Sequence, residues 1–300
     1  MKKSNLAVIV ISYNNSSEIN NFVKTLKTFN SVNHIIIVDN ASNVSHINEL
    51  EKLTNENNNV FLVKNTGNYG YGKGNNIGIK YVEKHFDDSF IMISNSDVTI
   101  DEPAILDCLN LLKLDNSVGI VAPRMISNGA YTPSYWKLPT VFTTFTNTFF
   151  YLSPILRKFH TKQQGKTKLK VDVVSGSLFL IRTETLKSVG YFDERTFLYG
   201  EENILALKLK RIGLNNYILL NDKFSHVHGE VINKKFSSIK KRYLIALKSN
   251  IIYLRDYMRV SDNIISFYKH IYKTNLFIFI CLYWVKNKLK GQIVKFKLNI

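Results

Sequence analysis

Five short apolar runs alternate with helix-like stretches through the first 122 residues. This pattern restricts the fold more than any other feature of the chain. Leu6–Ser12, His34–Val38, Val60–Val63, Phe90–Ile93 and Gly119–Ala122 are short, mostly continuous and rich in β-branched residues. Such runs read as strands buried on both faces of a parallel sheet. Between them, Ser16–Phe29, Ile47–Leu53, Ile77–Phe86 and Ile105–Leu114 carry apolar residues at helical spacing. Alternation of this kind predicts a sheet wrapped by helices with right-handed crossovers. Polar residues follow the strands: Ser12-Tyr13-Asn14, Asp39-Asn40, a glycine-rich stretch and Asp97. Carboxyl ends of parallel strands share one edge, so these distant residues should converge there, where open α/β sheets bind ligands.

Asp97 is the most pointed of these signals. A buried strand runs into Ser94-Asn95-Ser96-Asp97, and a carboxylate there needs a partner. It reads as a divalent-metal ligand on a phosphate-bearing molecule, or as a turn residue capping the helix begun near Pro103. Asn68-Tyr69-Gly70-Tyr71-Gly72-Lys73-Gly74-Asn75-Asn76-Ile77-Gly78 reads as a glycine-rich loop before a helix. Such a loop lets backbone approach phosphate, or is simply a flexible turn. It lacks the Gly-Lys-Ser/Thr of a Walker A loop, and it does not follow the first strand as a dinucleotide fingerprint does. Other residues carry two readings as well. Glu201 and Glu202 fit first-turn acids of a helix ending at Gly213. Asp39 fits a turn, and Lys73 and Arg182 fit solvated charges or phosphate contacts. His226 and His228 would share one face of a strand.

Composition bounds the class. Hydrophobic residues make up 45% of the 300, enough for a substantial core. Cys108 and Cys281 are too few for a disulfide framework or zinc site, which points to a reducing compartment. The start, Met1-Lys2-Lys3 before an apolar run, lacks the length and cleavage site of a signal peptide. No apolar run has the length of a membrane span; Leu276–Val285 is about half of one. Aromatic residues crowd the stretch from Tyr131 to Tyr151, and a basic run from Arg157 to Lys170 follows. These aromatics suit a core, a lid or an apolar-ligand surface. The net charge of +17 is concentrated at the end: Val231–Ile300 holds fifteen Lys and Arg against two Asp. Lysines there frame Phe267, Tyr268, Tyr272, Phe277, Tyr283 and Trp284, as in an interfacial helix on an anionic membrane. An amphipathic helix packed on the rest of the chain is the alternative.

In order along about 230 residues, these motifs resemble the family 2 glycosyltransferases of GT-A fold, in particular the rhamnosyltransferase-like group that builds bacterial surface polysaccharides. Val8–Asn14 resembles the opening strand and Val38–Ser42 the turn whose Asp pairs with a pyrimidine. Asn68–Gly78 resembles the Asn-x-Gly segment, and Ser94–Asp97 the metal-binding motif. Ser175-Gly176-Ser177 through Arg182 resembles the acceptor-side strand pair. Gly190–Glu194 with Tyr199–Glu202 resembles the Gly-Phe-Asp-Glu…Glu-Asp segment, and His226–Gly229 the late metal-ligand His.

The resemblance implies an α/β fold: a Rossmann-like mixed sheet flanked by helices, with a basic helical C-terminal extension. It implies a catalytic domain over 1–235, with a nucleotide-binding half to 122 and an acceptor-side half after it, then a tail over 236–300. Ser12, Tyr13, Asn14, Asp39, Asn40, Asn68, Gly70, Lys73, Asn76, Asn95, Ser96 and Gly176 become donor-binding candidates. Asp97 with His226 or His228 becomes the site for Mg²⁺ or Mn²⁺, His226 being favoured. Glu202, or Glu201, becomes the general base of an inverting transfer. Three departures stand out: Glu202 replaces the usual Asp, Ile204 replaces a third acid, and Asn95 leaves one strong anionic ligand. The implied partners are a UDP- or dTDP-sugar, a lipid-linked glycan acceptor and an anionic membrane surface, with the protein cytoplasmic and peripheral on the inner face. A sugar nucleotidyltransferase, a nucleic-acid binder using the basic tail and a non-catalytic scaffold are the competing readings. The first lacks its N-terminal Gly/Arg/Lys loop, and no compact nucleic-acid motif supports the second.

Overall fold

The structure, a computed structural model, describes residues 5–149, 166–226 and 239–297. Phe150, Tyr151 and the basic residues 157–165 lie outside them. The chain divides into two compact units. The first comprises residues up to 138 and from 166 to 226; the second comprises 139–149 and 239–297.

The first unit is built on a sheet of ten strands. Strands β1 (Leu6–Ser12), β2 (His34–Asp39), β3 (Val60–Lys64) and β4 (Phe90–Ser94) lie parallel in the order β3-β2-β1-β4. Helices α1 (Ser16–Leu26), α2 (Val44–Asn55) and α3 (Gly70–His85) connect them. This is the alternation expected from the sequence, and β1, β2 and β4 are buried on both faces. Beyond β4 the sheet turns mixed. β5 (Val98–Ile100) and α4 (Glu102–Leu114) precede β6 (Val118–Ser127), but β6 does not pair with β4. The later strand β11 (Leu178–Arg182) lies antiparallel between them. β12 (Asn215–His226) runs parallel to β6 and antiparallel to β5. β7 (Ala130–Thr132) and β9 (Lys168–Val171) pair at the margins, and β8 (Tyr135–Trp136) with β10 (Val173–Val174) forms a separate ribbon.

Two apolar layers cover the sheet. α1, α2 and α4 pack on one face around Val8, Val10, Met92 and Leu180. On the other face α3, α6 (Thr183–Ser188) and α7 (Glu201–Arg211) enclose Ala7, Ile9, Ile93 and Phe179.

The glycine-rich stretch departs from the sequence expectation. It is not a loop before a helix at Ile77; helix α3 starts at Gly70. Gly70, Gly74 and Gly78 recur every four residues and so lie on one helix face. A Cβ on Gly74 would come 2.9 Å from Ile11 Cδ1, and one on Gly78 would come 2.7 Å from Ile9 Cγ2. Gly74 and Gly78 let the helix backbone lie against β1 and the end of β2. Close packing overrides their poor helix propensity.

The second unit contains α5 (Val141–Thr146), α8 (Ile239–Ile252), a π-helical turn (Tyr253–Tyr257) and the 36-residue α9 (Asp262–Lys297). Leu247, Leu254, Ile265, Tyr268, Tyr272 and Leu276 form its core, with Val141 and Phe145 packed against them. Asn275 donates to Thr148 at 2.9 Å, and Tyr272 Oη donates to the Tyr243 carbonyl at 2.7 Å. Among the described residues no helix is long and apolar enough to cross a membrane.

Candidate active site

The ends of β1, β2 and β4, the start of β11 and the end of β12 meet at one edge of the sheet. Pairing registers enforce the meeting. Ser12 lies opposite Asp39, Leu178 opposite Ser94, and His226 opposite Val98. Asn95 donates its amide to the Ser177 carbonyl at 2.9 Å, which ties the Asp97 turn to the Ser175–Ser177 turn.

Asp97 does not cap a helix. It lies in the turn between β4 and β5, and Asp101 occupies the N-cap of α4. Its Oδ1 is 3.1 Å from His226 Nε2, and Asn95 Nδ2 is 3.5 Å from the same nitrogen. His226 is 7% exposed. Adjacent ligands of an octahedral ion at about 2.1 Å from the metal stand about 3.0 Å apart. The Asp97–His226 spacing therefore fits two neighbouring positions of such an ion. No group of three or more His, Cys, Asp or Glu able to hold a metal occurs among the described residues. Asp97 and His226 would supply two ligands to such an ion, and a bound anion and water would have to supply the rest. His228 lies outside the described residues.

Ser12, Asn14, Asp39 and Asn40 form one locked corner. The Asp39 carboxylate is fully buried and accepts from the Ser42 amide at 3.0 Å and from the Ser42 hydroxyl. Asn14, at φ 55°, donates its amide to Ser42 Oγ and accepts at Oδ1 from the Asn43 amide. Asn40 donates to the Gly70 carbonyl at 3.0 Å and accepts from Asn65 at 2.8 Å. The corner is a turn closed on the N-terminus of α3, with Asp39 at its base.

Asn15 and Glu18 belong to this edge although the motifs did not single them out. Asn15 accepts at Oδ1 from Ser12 Oγ and the Tyr13 amide, and donates to Ser96 Oγ at 2.8 Å. Ser96 Oγ also lies 3.3 Å from Glu18 Oε2. Ser96 is thereby anchored to α1, which fixes the backbone carrying Asp97.

The candidates of the glycine-rich segment are placed mainly by scaffold contacts. Asn68 accepts from the Gly70 amide at 3.0 Å. Gly70 has φ 76°, and a Cβ there would stand 2.0 Å from the Phe197 carbonyl oxygen. Buried Asn76 donates to the Phe192 carbonyl and to Glu194, and accepts from the Phe192 amide. It braces the 190–196 loop. Lys73 Nζ sits 4.0 Å over the Tyr69 ring. Arg182 is half-buried at the end of β11 opposite the Asp97 edge. It donates to the carbonyls of Val118, Leu112 and Asp115, closing the end of α4.

The carboxylate pair stands at the start of α7. Tyr199 and Gly200, both left-handed at φ 70° and 87°, turn the chain sharply into the helix. A left-handed tyrosine costs about 1–2 kcal/mol, which surrounding contacts must offset. Glu201 is 3% exposed, unlike an ordinary first-turn acid, and its Oε2 has no hydrogen-bond partner among the described residues. Burial, then repulsion from Glu202, holds its carboxyl well above the usual range. Burial also raises Glu202, against hydrogen bonds from backbone amides. One of these is the Gly176 amide, 3.3 Å from Glu202 Oε1.

Tyr71 completes the pair's surroundings. Its hydroxyl donates to the Gly176 carbonyl at 2.5 Å, and burial with the two carboxylates raises its own pKa. Gly176 is thus held at both ends, by Tyr71 at its carbonyl and by Glu202 at its amide. A Cβ there would stand 2.6 Å from Tyr71 Oη and 3.2 Å from Glu202 Oε1. Nothing in the sequence marks this Tyr beyond its place between two glycines.

The arrangement offers an oxygen–nitrogen pair for a cation, a pinned carboxylate of raised pKa and a polar corner beside them. Known proteins resemble the chain in sequence and in fold. Agl10, a low-salt glycan biosynthesis hexosyltransferase of Haloferax volcanii, is 24% identical over 157 residues, 52% of this chain and 48% of Agl10. The chain thus spans about half the length of that relative. The rhamnosyltransferase WbbL of Escherichia coli is 26% identical over 194 residues, 63% of this chain and 71% of WbbL. The structure superimposes on GalNAc-T7 solved with UDP, GalNAc and Mn²⁺ at a TM-score of 0.57 and 15% identity, covering 76% of this chain and 44% of that one. It superimposes on Staphylococcus aureus TarS with UDP at 0.55 and 16% identity, covering 91% and 70%. The mixed sheet and its flanking helices are the GT-A fold. The sequence model of Glycosyl transferase family 2 matches residues 7–190, well over half of the chain, which therefore belongs to that family.

Proposed function

We propose that this chain is an inverting, divalent-metal-dependent glycosyltransferase that moves one sugar from a UDP- or dTDP-sugar onto a lipid-linked glycan in surface-polysaccharide synthesis. One observation carries the reading. The Asp97–His226 pair at 3.1 Å and the pinned Glu202 carboxylate stand at the same sheet edge, joined through the Asn95–Ser177 hydrogen bond.

Asp39 and the corner around it would take the pyrimidine, while Asp97 and His226 would hold Mg²⁺ or Mn²⁺. When bound, the cation offsets charge developing on the departing diphosphate. GalNAc-T7 was solved with Mn²⁺ and UDP, and TarS with UDP, which supports the same ligand classes here. Glu202 would accept the acceptor hydroxyl's proton. Its raised pKa makes it a stronger base than a solvated carboxylate. Attack from the base side, opposite the leaving diphosphate, inverts the anomeric centre without a covalent intermediate. Glu201 would stay protonated beside it, so that the pair holds one negative charge rather than two.

The second unit suits attachment to an anionic membrane. Phe277, Leu282 and Trp284 on α9 are 69%, 51% and 62% exposed, in a segment framed by lysines in the sequence. Attachment at the inner face would concentrate the enzyme where lipid-linked acceptors reside. Glu202→Gln tests the base: donor binding should persist while transfer is lost. Normal transfer by that variant, with loss in Glu201→Gln, moves the role by one residue.

A further inference from the structure

We propose that Trp136 is the platform of an acceptor-sugar subsite, a role that rests on the reading of Glu202 as the base. The β8–β10 ribbon places Trp136 opposite Val173, and Ser175 donates its amide to the Ser134 carbonyl at 2.7 Å. The same strand end leads directly into the Gly176 turn that pins Glu202. The indole N–H donates to Asn203 Oδ1 at 2.7 Å, and Asn203 follows Glu202 on α7. The ring is thus tethered to the residue that follows the base on α7, and its own ribbon is tethered, through Ser134 and Ser175, to the turn that pins the base.

Trp136 remains 37% exposed. Its one polar atom is already satisfied, so what it offers solvent is aromatic surface. The hydrogen bond to Asn203 restricts the ring and lowers the entropy cost of using it as a contact. A saturated sugar ring carries an apolar C–H face and a polar rim. The first matches an aromatic surface; the second matches the polar groups of Glu202 and Asn203 on the first turn of α7. The acceptor hydroxyl must come within about 2.6–3.2 Å of the base. Its ring therefore lies beside the first turn of α7, where Trp136 is held. The ligand class is a pyranoside, the terminal sugar of the acceptor.

The chain has two tryptophans, so Trp284→Phe leaves Trp136 as the only one. That full-length variant, with UDP and Mg²⁺ present, is titrated with methyl glycosides of glucose, galactose, N-acetylglucosamine and rhamnose while its emission is followed. At least one glycoside should change the emission saturably, with glycerol at equal molarity leaving it unchanged. Adding Asn203→Leu should raise the half-saturating concentration about tenfold, as expected when one anchoring hydrogen bond is lost. Emission unchanged by all four glycosides, or a half-saturation unaffected by Asn203→Leu, overturns the subsite. Nucleotide release by the same variant is measured separately and reports on the transferase reading, so the two claims fail independently.

Discussion

Replacing Gly176 by Ala tests the geometry around the proposed base, Glu202, with one added methyl group. The glycine does not use a left-handed conformation, so the effect is steric. The new Cβ would meet Tyr71 Oη at 2.6 Å, Tyr71 Cζ at 2.9 Å and Glu202 Oε1 at 3.2 Å, whereas comfortable carbon contacts begin near 3.5 Å. Tyr71 cannot simply withdraw. Its hydroxyl is bonded to the Gly176 carbonyl, and its ring packs edge-on against Phe192 at 5.8 Å. Overpacking of this size costs about 1–3 kcal/mol of stability. The carboxylate also shifts and loses the Gly176 amide, and misplacement by about 1 Å lowers turnover by up to ~100-fold. The expected outcome is a kcat reduced by about 10–100-fold, with donor KM nearly unchanged because the Asp39 corner is untouched. Tyr71→Phe removes the nearest clashing atom. The double variant should therefore recover part of the loss, with a coupling of about 0.5–3 kcal/mol in a double-mutant cycle. Steady-state kinetics and thermal melts on the four proteins decide the matter. Wild-type kcat in Gly176→Ala, or strictly additive effects, would refute the claim that Tyr71 and Gly176 position the base.

Other perturbations reach different parts of the account. Glu201 keeps its proton in the folded chain at pH values where it ionises in the unfolded chain. Stability should therefore fall as pH rises above about 4.3, by about 1.4 kcal/mol per pH unit until the folded group ionises. Glu201→Gln should flatten that decline, melting higher than wild type at pH 8 and nearly alike at pH 4; parallel curves would contradict the assignment. Because burial raises Glu202, the acidic limb of the transfer-rate profile should lie above the range of a solvated Glu. Co-sedimentation with phosphatidylglycerol vesicles should weaken as salt rises and when Phe277 and Trp284 are changed to Ser; equal binding to neutral vesicles would argue against the basic framing of α9.

Much of the sheet edge was legible in the sequence because strands β1, β2 and β4 write their burial as continuous apolar runs. The polar ends of those runs led directly to Asp39 and Asp97. Two kinds of information were not. Gly70, Gly74 and Gly78 look like a loop because glycine is a poor helix former. Their roles appear only when α3 is seen against its neighbours: Gly74 and Gly78 against Ile11 and Ile9, and Gly70 against the Phe197 carbonyl. Similarly, β11 enters the sheet antiparallel between β4 and β6, a pairing set by long-range contacts that local pattern does not encode. The same limit applies around the carboxylates. The Glu201-Glu202 pair is visible as two acids before an apolar run, but the Tyr71–Gly176–Glu202 chain joins residues more than a hundred positions apart. Arg182 shows the converse, a charge whose partners are the backbone carbonyls at the end of α4.

The central claim is that the Asp97 edge turns over a nucleotide-activated sugar with a cation. Its most direct measurement is nucleotide released from a panel of UDP- and dTDP-sugars, with Mn²⁺ or Mg²⁺ and with EDTA, for wild type and Asp97→Ala. Metal-dependent release from at least one donor, abolished by EDTA and by Asp97→Ala, is the expected result. Release that is indifferent to EDTA and to Asp97, or none from any donor, would contradict it.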